Sequence, residues 1–328
     1  MHLLRLLIFP CLLLLTARGA EKEGVIFKQR YTPGHRYHQT TSMTQQLDLD
    51  LGTQRMDQEM SMSVGMDAVV TQHEDLKSKR VTVKYDRAAV SMNSQGEKFS
   101  FDSQNPDAAN SGPLAMFGKV VGKSFKVVFN SDDEVARVEN LDETLDTLSG
   151  ADPLGASMFR EMFNEESVKR MLQQSVLRSP ERRSIRVGEG WPFEQEMNLP
   201  GIGKLNIKGR YTFTTMVEHN GVKCAEVRAS AEILLDTTKK SGSPEENQTV
   251  VQQMKMKLEQ GRLQGVIYYD PAIDFTRELE IEQRMTLTAT VPDGTGKSLR
   301  LPMRQILRMK LDAFGPIPKP APIQAPEE

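Results

Sequence analysis

The chain has few of the residues that most often carry cross-links or chemistry. Its 328 residues include two cysteines, five histidines, one tryptophan and six tyrosines, and aromatic residues make up 6% of the total. Cys11 lies inside an N-terminal apolar run, which leaves Cys224 alone in the rest of the chain. An intramolecular disulfide is therefore excluded after removal of that run, and the core must hold the protein together. We expect Cys224 to be a buried structural thiol, because free cysteine is among the most buried residue types.

The chain also lacks a clear excess of acidic or basic residues. The chain contains 42 Lys and Arg and 44 Asp and Glu, for a formal net charge of −2, and the two signs are interleaved. Nucleic-acid binding needs a basic patch or stripe, so we expect no nucleic-acid partner.

Motifs for catalysis or cofactor binding are equally scarce. No Gly-x-Ser-x-Gly is present, and residues 201–203 (Gly-Ile-Gly) are too few for a phosphate-binding loop. His35 and His38 lie three residues apart in a segment with strand character, so their side chains face opposite sides of a sheet. Without carboxylates or cysteines at ligand spacing, they predict no metal site. The sequence thus predicts a protein that is not an enzyme and uses no cofactor.

The N-terminus has the pattern of a secretory signal peptide. Residues 1–5 are short and basic, residues 6–15 are apolar, and Ala17 and Gly19 are small residues at the positions that a signal peptidase reads. We expect cleavage after Gly19 or after Ala20. An uncleaved membrane anchor is the alternative, but a spanning helix needs about 20 apolar residues. The prediction is an exported protein, periplasmic or extracellular, with no transmembrane segment in the mature chain.

Most of the mature chain has the two-residue period of strands with one apolar face. The clearest case is the alternation of Met60, Met62, Val64 and Met66 with more polar residues. Residues 125–138 predict a hairpin, and Asn220-Gly221 predicts a second, which joins strands at 204–217 and 222–233. Hairpins connect neighbouring strands, so the sheet should be antiparallel, with one face in water.

Several carboxylates have ordinary structural interpretations. Asp86 and Asp270 follow β-rich segments, where each is predicted to end a strand through turn hydrogen bonds. Glu278, Glu280 and Glu282 alternate with Leu and Ile, which is typical of the water-facing side of a strand. We assign no catalysis to any of the five.

The middle of the chain changes period. Short segments at 113–118, 141–148, 154–163 and 164–177 have helical spacing, which predicts a helical insertion at about 113–177 around the 125–138 hairpin. Residues 315–328 alternate proline with other residues, which is typical of a disordered tail. The predicted organisation is a signal peptide (1–19), an exported β-rich domain (20–314) and the tail. The predicted fold is mainly β, a curved antiparallel sheet or half-barrel covered by the helices.

Methionine is abundant, with 18 in the chain. The apolar residues of one strand and of the predicted helices form the candidate ligand-binding set: Met60, Met62, Met66, Met158, Met162, Phe163, Met171 and Leu172. One interpretation is ordinary core packing. The other is an adaptable groove for an apolar small molecule or lipid, because thioethers adjust to varied ligands.

Some short motifs suggest relatives. Tyr31, Gly34 and Tyr37, the run Val83-Lys84-Tyr85-Asp86 and the run Val187-Gly188-Glu189-Gly190-Trp191 occur together with the signal peptide and the mid-chain helices. This order resembles an exported bacterial family of unknown function. In outline it is similar to the periplasmic lipoprotein-carrier fold, a half-barrel of antiparallel strands with a helical lid. The resemblance supplies no catalytic residues.

Two functions remain open at this point. The first is an exported protein that binds an apolar ligand between sheet and helices. The second is a structural or interaction module of the cell envelope, whose apolar face is only its core. A hydrolase without a recognisable motif is a third.

Overall fold

The computed structural model describes residues 24–50, 55–75, 77–94, 96–105, 118–119, 121–141, 165, 169, 177–199, 203–236, 255–290 and 298–318. A 3₁₀ helix spans Pro180–Arg182. The strands are β1 (His35–Asp50), β2 (Arg55–Gln72), β3 (Lys79–Ser94), β4 (Glu97–Asp102), β5 (Ser124–Phe129), β6 (Val135–Glu139), β7 (Gly190–Leu199), β8 (Gly203–His219), β9 (Val222–Asp236), β10 (Lys255–Asp270), β11 (Phe275–Thr290) and β12 (Ser298–Pro316).

These strands form one antiparallel sheet. Its order is β6-β5-β3-β2-β1-β12-β11-β10-β9-β8-β7, and β4 pairs with β3 beside this path. The first and last strands, β1 and β12, pair along most of their length at the centre of the sheet. The mainly β, antiparallel architecture predicted from the alternating pattern is confirmed.

Both predicted hairpins are present. β5 and β6 form the first, and β8 and β9 form the second around Asn220-Gly221. Asn220 has a φ of 51° and Gly221 a φ of 77°. Positive φ at both central residues is the requirement of the tight turn that Asn-Gly favours.

Register partners share a face of the sheet, which divides the side chains into two sets. We call the face that carries Met60, Leu263 and Phe213 the apolar face, and the opposite one, with Ser61 and Glu282, the polar face.

An N-terminal segment, residues 24–33, crosses the apolar face at one end of the strands. Phe27 lies 5.0 Å from Trp191 and 5.1 Å from Tyr269, measured between ring centroids. Further along the segment, Tyr31 packs on Tyr37 and Phe275. We call this aromatic end of the sheet the closed end.

The two edges of the sheet approach each other at the closed end. Arg178, which precedes β7, donates to the carbonyl of Asp133 in the β5–β6 turn at 2.7 Å, and Arg182 donates to Asp132 at 2.9 Å. Val25 forms a β-bridge with Ile185, just ahead of β7. Within the described residues β6 and β7 do not pair, so the sheet curves around its apolar face but stays open.

The predicted helical insertion and helical covering are not supported by the described residues. Within 113–177, the longest described stretch is 121–141, and it contributes β5 and β6 to the sheet because its apolar residues alternate. Leu141, Glu165 and Lys169 have helical backbone conformation. The other residues of the predicted helices, apart from 118 and 177, lie outside the described residues.

The chain ends are partly described. Residues 1–19, predicted as a signal peptide, lie outside the described residues. The tail predicted from Gly315 begins inside β12, which ends at Pro316, and the N–H of Ile317 donates to the carbonyl of Gly34 at 2.8 Å. Residues 319–328 are not described. Among the described residues, the structure contains no helix of the length and hydropathy that a membrane span requires.

Candidate functional sites on the two faces of the sheet

Methionines from several strands meet in the middle of the apolar face. The register joins the strands in rows, of which one holds Met92, Met60, Gln45, Gln305 and Gln283 and the next holds Val90, Met62, Met43, Leu307 and Ile281. We define the methionine floor as the partly exposed methionines of β1, β2, β3 and β12 on this face: Met43, Met60, Met62, Met66, Met92, Met303 and Met309.

Glutamines are placed among these methionines. The amide of Gln58 donates to the sulfur of Met92 at 3.5 Å, and that of Gln39 donates to the sulfur of Met309 at 3.7 Å. A thioether is a weak acceptor, so these amides are held loosely and keep hydrogen-bonding capacity for other partners.

The structure brings together three of the eight residues of the predicted ligand-binding set. Met60, Met62 and Met66 share the apolar face of β2, as their alternation predicts. Met158, Met162, Phe163, Met171 and Leu172 lie outside the described residues.

Sequence reasoning missed four methionines of the floor, Met43, Met92, Met303 and Met309. The signal was present, because each alternates with polar residues in its own strand. Their meeting with β2 depends on the non-local pairing of β1 with β12.

The polar face carries a groove of about 1020 Å³. Asp57 and Glu59 of β2 line one side, and Arg262 and Arg284 of β10 and β11 line the other. Met285 and Met303 also line this groove, but most of its lining is polar and carries both signs of charge, which suits an apolar ligand poorly.

The three glutamates of β11 lie on the polar face, as predicted. Glu280 accepts from Arg308 at 2.7 Å, and Glu282 accepts from Arg284 and Arg304. Hydrogen bonds first from Arg284 and then from Arg304 hold the pKa of Glu282 below its usual range. The water-facing interpretation of these carboxylates is confirmed.

Cys224 is fully buried and free, as predicted. Burial raises the pKa of its thiol, and the nearby Asp270 raises it further. A protonated, buried thiol is a poor nucleophile, which agrees with a structural role.

Asp270 ends β10, as predicted. One of its carboxylate oxygens accepts from the N–H of Ala272 at 2.8 Å, and the other accepts from the guanidinium of Arg277 at 2.8 and 2.9 Å. The first of these contacts is the expected turn hydrogen bond.

The prediction that Asp86 ends a strand is wrong. β3 continues to Ser94, and the register against β2 shifts where Gly65 and Met66 face Arg87 and Tyr85. Asp86 is the extra residue of this β-bulge. Alternation in the sequence does not show a bulge, which adds one residue and then restores the period.

The bulge turns Asp86 toward His38 on the polar face. Nε2 of His38 lies 2.8 Å from Oδ2 of Asp86. Ligand atoms of His38, Asp67 and Asp86 all lie within 4.8 Å of one another, a spacing that can hold a metal ion. Sequence reasoning missed this cluster because its three residues come from β1, β2 and β3.

Two further residues contact the cluster. Oδ2 of Asp312 lies 3.5 Å from Nδ1 of His38 and accepts from the hydroxyl of Thr40 at 2.6 Å. Arg36 donates to both carboxylate oxygens of Asp67, and these hydrogen bonds raise the pKa of Arg36 above its ordinary value.

The described residues define an antiparallel β protein built on one sheet, with an apolar face and a polar face. The chain belongs to the family of unknown function DUF6263, whose model matches residues 76–272. The resemblance to an uncharacterised family is thus confirmed. None of the curated proteins compared with the chain matches it.

Several solved structures match the chain at low sequence identity and low TM-score. Lipovitellin, in a structure concerned with its lipid–protein interactions, is 11% identical with a TM-score of 0.48, and the match covers 90% of this chain but 27% of lipovitellin. An outer membrane lipoprotein-sorting protein domain from Vibrio parahaemolyticus is 8% identical (TM-score 0.15, 84% of each chain). A DUF1329 family protein from Desulfovibrio piger is 7% identical (TM-score 0.15, 83% of this chain and 85% of that one).

Proposed function

We propose that this protein binds an elongated apolar molecule, of the class of lipid acyl chains, along the methionine floor. The observation that carries the proposal is the partial exposure of Met43, Met60 and Met62 together with the other methionines of the floor on four adjacent strands. Partly exposed apolar side chains that lie close together on a surface are typical of an interaction site. Methionine side chains also re-pack at low cost around ligands of varied shape.

The surroundings of the floor suit a ligand with one polar end. Gln45, Gln283 and Gln305 form a continuous row across it, with donors and acceptors that can orient a carboxyl or ester group. Phe27 and Trp191 fill the closed end of the sheet. The apolar tail of the ligand therefore lies along the open part of the apolar face.

The proposed role is binding without catalysis. The floor offers thioethers and amides, and neither group titrates near neutral pH or acts readily as a nucleophile. The second function, a structural or interaction module, remains as an outcome of the test below.

Export of the protein is part of the same proposal, because residues 1–19 have the order of a signal peptide. N-terminal sequencing of protein recovered from its natural compartment should start at Ala20 or Glu21. Recovery of Met1 on the exported form would contradict cleavage.

The test compares two charge substitutions on opposite faces of β2. In Met60→Asp/Met62→Asp, two carboxylates enter the floor, whereas Ser61→Asp/Ser63→Asp places the same charges on the polar face of the same strand. Burying a carboxylate against an acyl chain is costly. We expect the first variant to bind a fluorescent fatty-acyl probe at least ~100-fold more weakly, which corresponds to about 2.7 kcal/mol, and the second to bind as wild type does.

Far-UV circular dichroism of both variants shows whether the sheet is retained. If wild type binds no probe, and native mass spectrometry of protein from its own compartment finds no lipid, the methionine floor is a contact surface and the structural role replaces binding. Equal weakening in both variants would assign the effect to stability.

A further inference from the structure

Four neighbouring strands bring one side chain each to the same place on the polar face. His38 of β1 and Asp67 of β2 are direct register partners. Asp86 comes from β3 and Asp312 from β12, on either side of that pair. Side chains from four strands of one sheet are held by the backbone hydrogen bonds between those strands, so their separation is fixed without loops.

Two β-bulges direct the outer pair of aspartates inward. The β2–β3 bulge presents Asp86, and a second register shift, where His38 and Gln39 face Ala313 and Leu311, presents Asp312. Gly65 leaves room for Asp86, because a Cβ at this position would lie 2.3 Å from Oδ1 of that carboxylate. Bulges re-aim side chains and are over-represented beside functional sites.

The two ring nitrogens of His38 have different surroundings. Nδ1 lies 3.5 Å from Asp312, whose carboxylate is itself fixed by Thr40. Nε2 lies 2.8 Å from Oδ2 of Asp86, and Asp67 belongs to the same cluster of potential ligand atoms. A carboxylate beside one ring nitrogen, with the other nitrogen directed at the metal ligands, is the arrangement that orients metal-binding histidines.

We infer that Nε2 of His38 and the carboxylates of Asp67 and Asp86 bind a divalent transition-metal cation of the Zn²⁺ type. Tetrahedral zinc, with bonds of about 2 Å, needs ligand atoms roughly 3.3 Å apart. Nε2 of His38 and Oδ2 of Asp86 are 2.8 Å apart, and all ligand atoms of the cluster lie within 4.8 Å of one another, so small side-chain rotations reach that geometry. The imidazole nitrogen favours zinc over calcium or magnesium, which take oxygen ligands.

Charge around the cluster favours a cation. Three carboxylates, those of Asp67, Asp86 and Asp312, surround His38, and among the described residues Arg36 contacts them through its hydrogen bonds to Asp67. Lys84, exposed on β3, is the register partner of Asp67. Arg36 therefore competes with the metal for one ligand, and its removal strengthens binding.

The test is isothermal titration of Zn²⁺ into the full chain near neutral pH, with Ca²⁺ as a second titrant. We expect one tight Zn²⁺ per chain and much weaker Ca²⁺ binding. His38→Gln and Asp86→Asn should each abolish the tight site. Asp312→Asn should weaken it ~10–100-fold, the usual effect of removing an orienting partner. Arg36→Gln should tighten it.

His219→Gln is the matched control. Among the described residues, Nε2 of His219 meets a single carboxylate, that of Glu278 at 2.9 Å, so this variant should keep the tight site. Wild type without a tight site, or His38→Gln with an unchanged one, overturns the inference.

A measurement on wild type alone covers the case in which the variants fail to fold. Co²⁺ takes similar ligands to Zn²⁺. In NMR spectra of histidine-labelled protein, one equivalent of Co²⁺ should shift the ring signals of His38 and leave those of His219 in place. Absence of a selective effect on His38 contradicts the site.

Discussion

Phe27 and Trp191 stack with their ring centroids 5.0 Å apart and their planes at 26°, although they come from opposite halves of the sequence. Phe27 is 1% exposed, and its ring also meets the edge of Phe213. The contact anchors the N-terminal segment to the apolar face and fills the closed end.

Phe27→Ala should therefore lower the free energy of unfolding by about 3–5 kcal/mol, the usual cost of emptying a buried phenylalanine site. Urea unfolding followed by tryptophan fluorescence measures it. The neighbouring Ile26 is 44% exposed, and Ile26→Ala should change stability by less than about 0.5 kcal/mol. A similar effect of both substitutions would mean that the segment does not seal the closed end.

The thiol of Cys224 should be protected in the folded protein. It is fully buried, and its raised pKa keeps the thiolate scarce. A thiol reagent should modify native protein at least ~100-fold more slowly than urea-unfolded protein, because only the exposed thiolate reacts. Reaction at the same rate in both states would contradict burial.

The free energy of unfolding should fall at alkaline pH because Tyr31 ionises. Burial raises the pKa of Tyr31 to about 12, against an ordinary value of about 10 in the unfolded chain. The neutral form is therefore favoured by folding. The stabilisation that folding gains from neutral Tyr31 is complete below pH 10 and is lost as the pH rises from 10 to 12. Tyr31→Phe should flatten the decline of the urea midpoint over this interval, and an identical decline in the variant would contradict the shift.

Gly221 should be required because its backbone has a positive φ, and not because a side chain at this position would clash with a neighbour. Its φ is 77°, and a Cβ at this position would meet no atom within 4 Å. Gly221→Ala should destabilise the β8–β9 hairpin by about 1 kcal/mol, since alanine resists positive φ. Gly315→Ala, equally uncrowded but without positive φ, is the control and should be neutral or slightly stabilising in thermal unfolding. A neutral Gly221→Ala would contradict the conformational argument.

Local patterns predicted much of the sheet and little of either candidate site. Alternation predicted the shared face of Met60, Met62 and Met66, and Asn220-Gly221 predicted its hairpin, because both signals lie within a few residues. The pairing of β1 with β12 carries no local signal, so the meeting of Met43 with Met62 and Leu307 could not be predicted.

The histidine–aspartate cluster was missed for a related reason. Opposite orientation of His35 and His38 argued against a shared metal site, and His35 does stack separately on Phe314, with ring centroids 5.0 Å apart. The partners of His38 come from other strands, and a bulge delivers Asp86. A search along one strand cannot find them.

The central position of β12 sets the order in which the sheet can be completed during synthesis. β1 and β11 both pair with β12, which is synthesised after the other strands of the described sheet. Until Ser298 and the residues after it emerge, β1 and β11 each have one long free edge with unsatisfied backbone groups in the middle of the sheet. A second chain can add a strand at either edge. Nascent or truncated chains that lack β12 are consequently the forms most exposed to intermolecular strand exchange. A chaperone that covers the free edges of β1 and β11 would benefit these chains most.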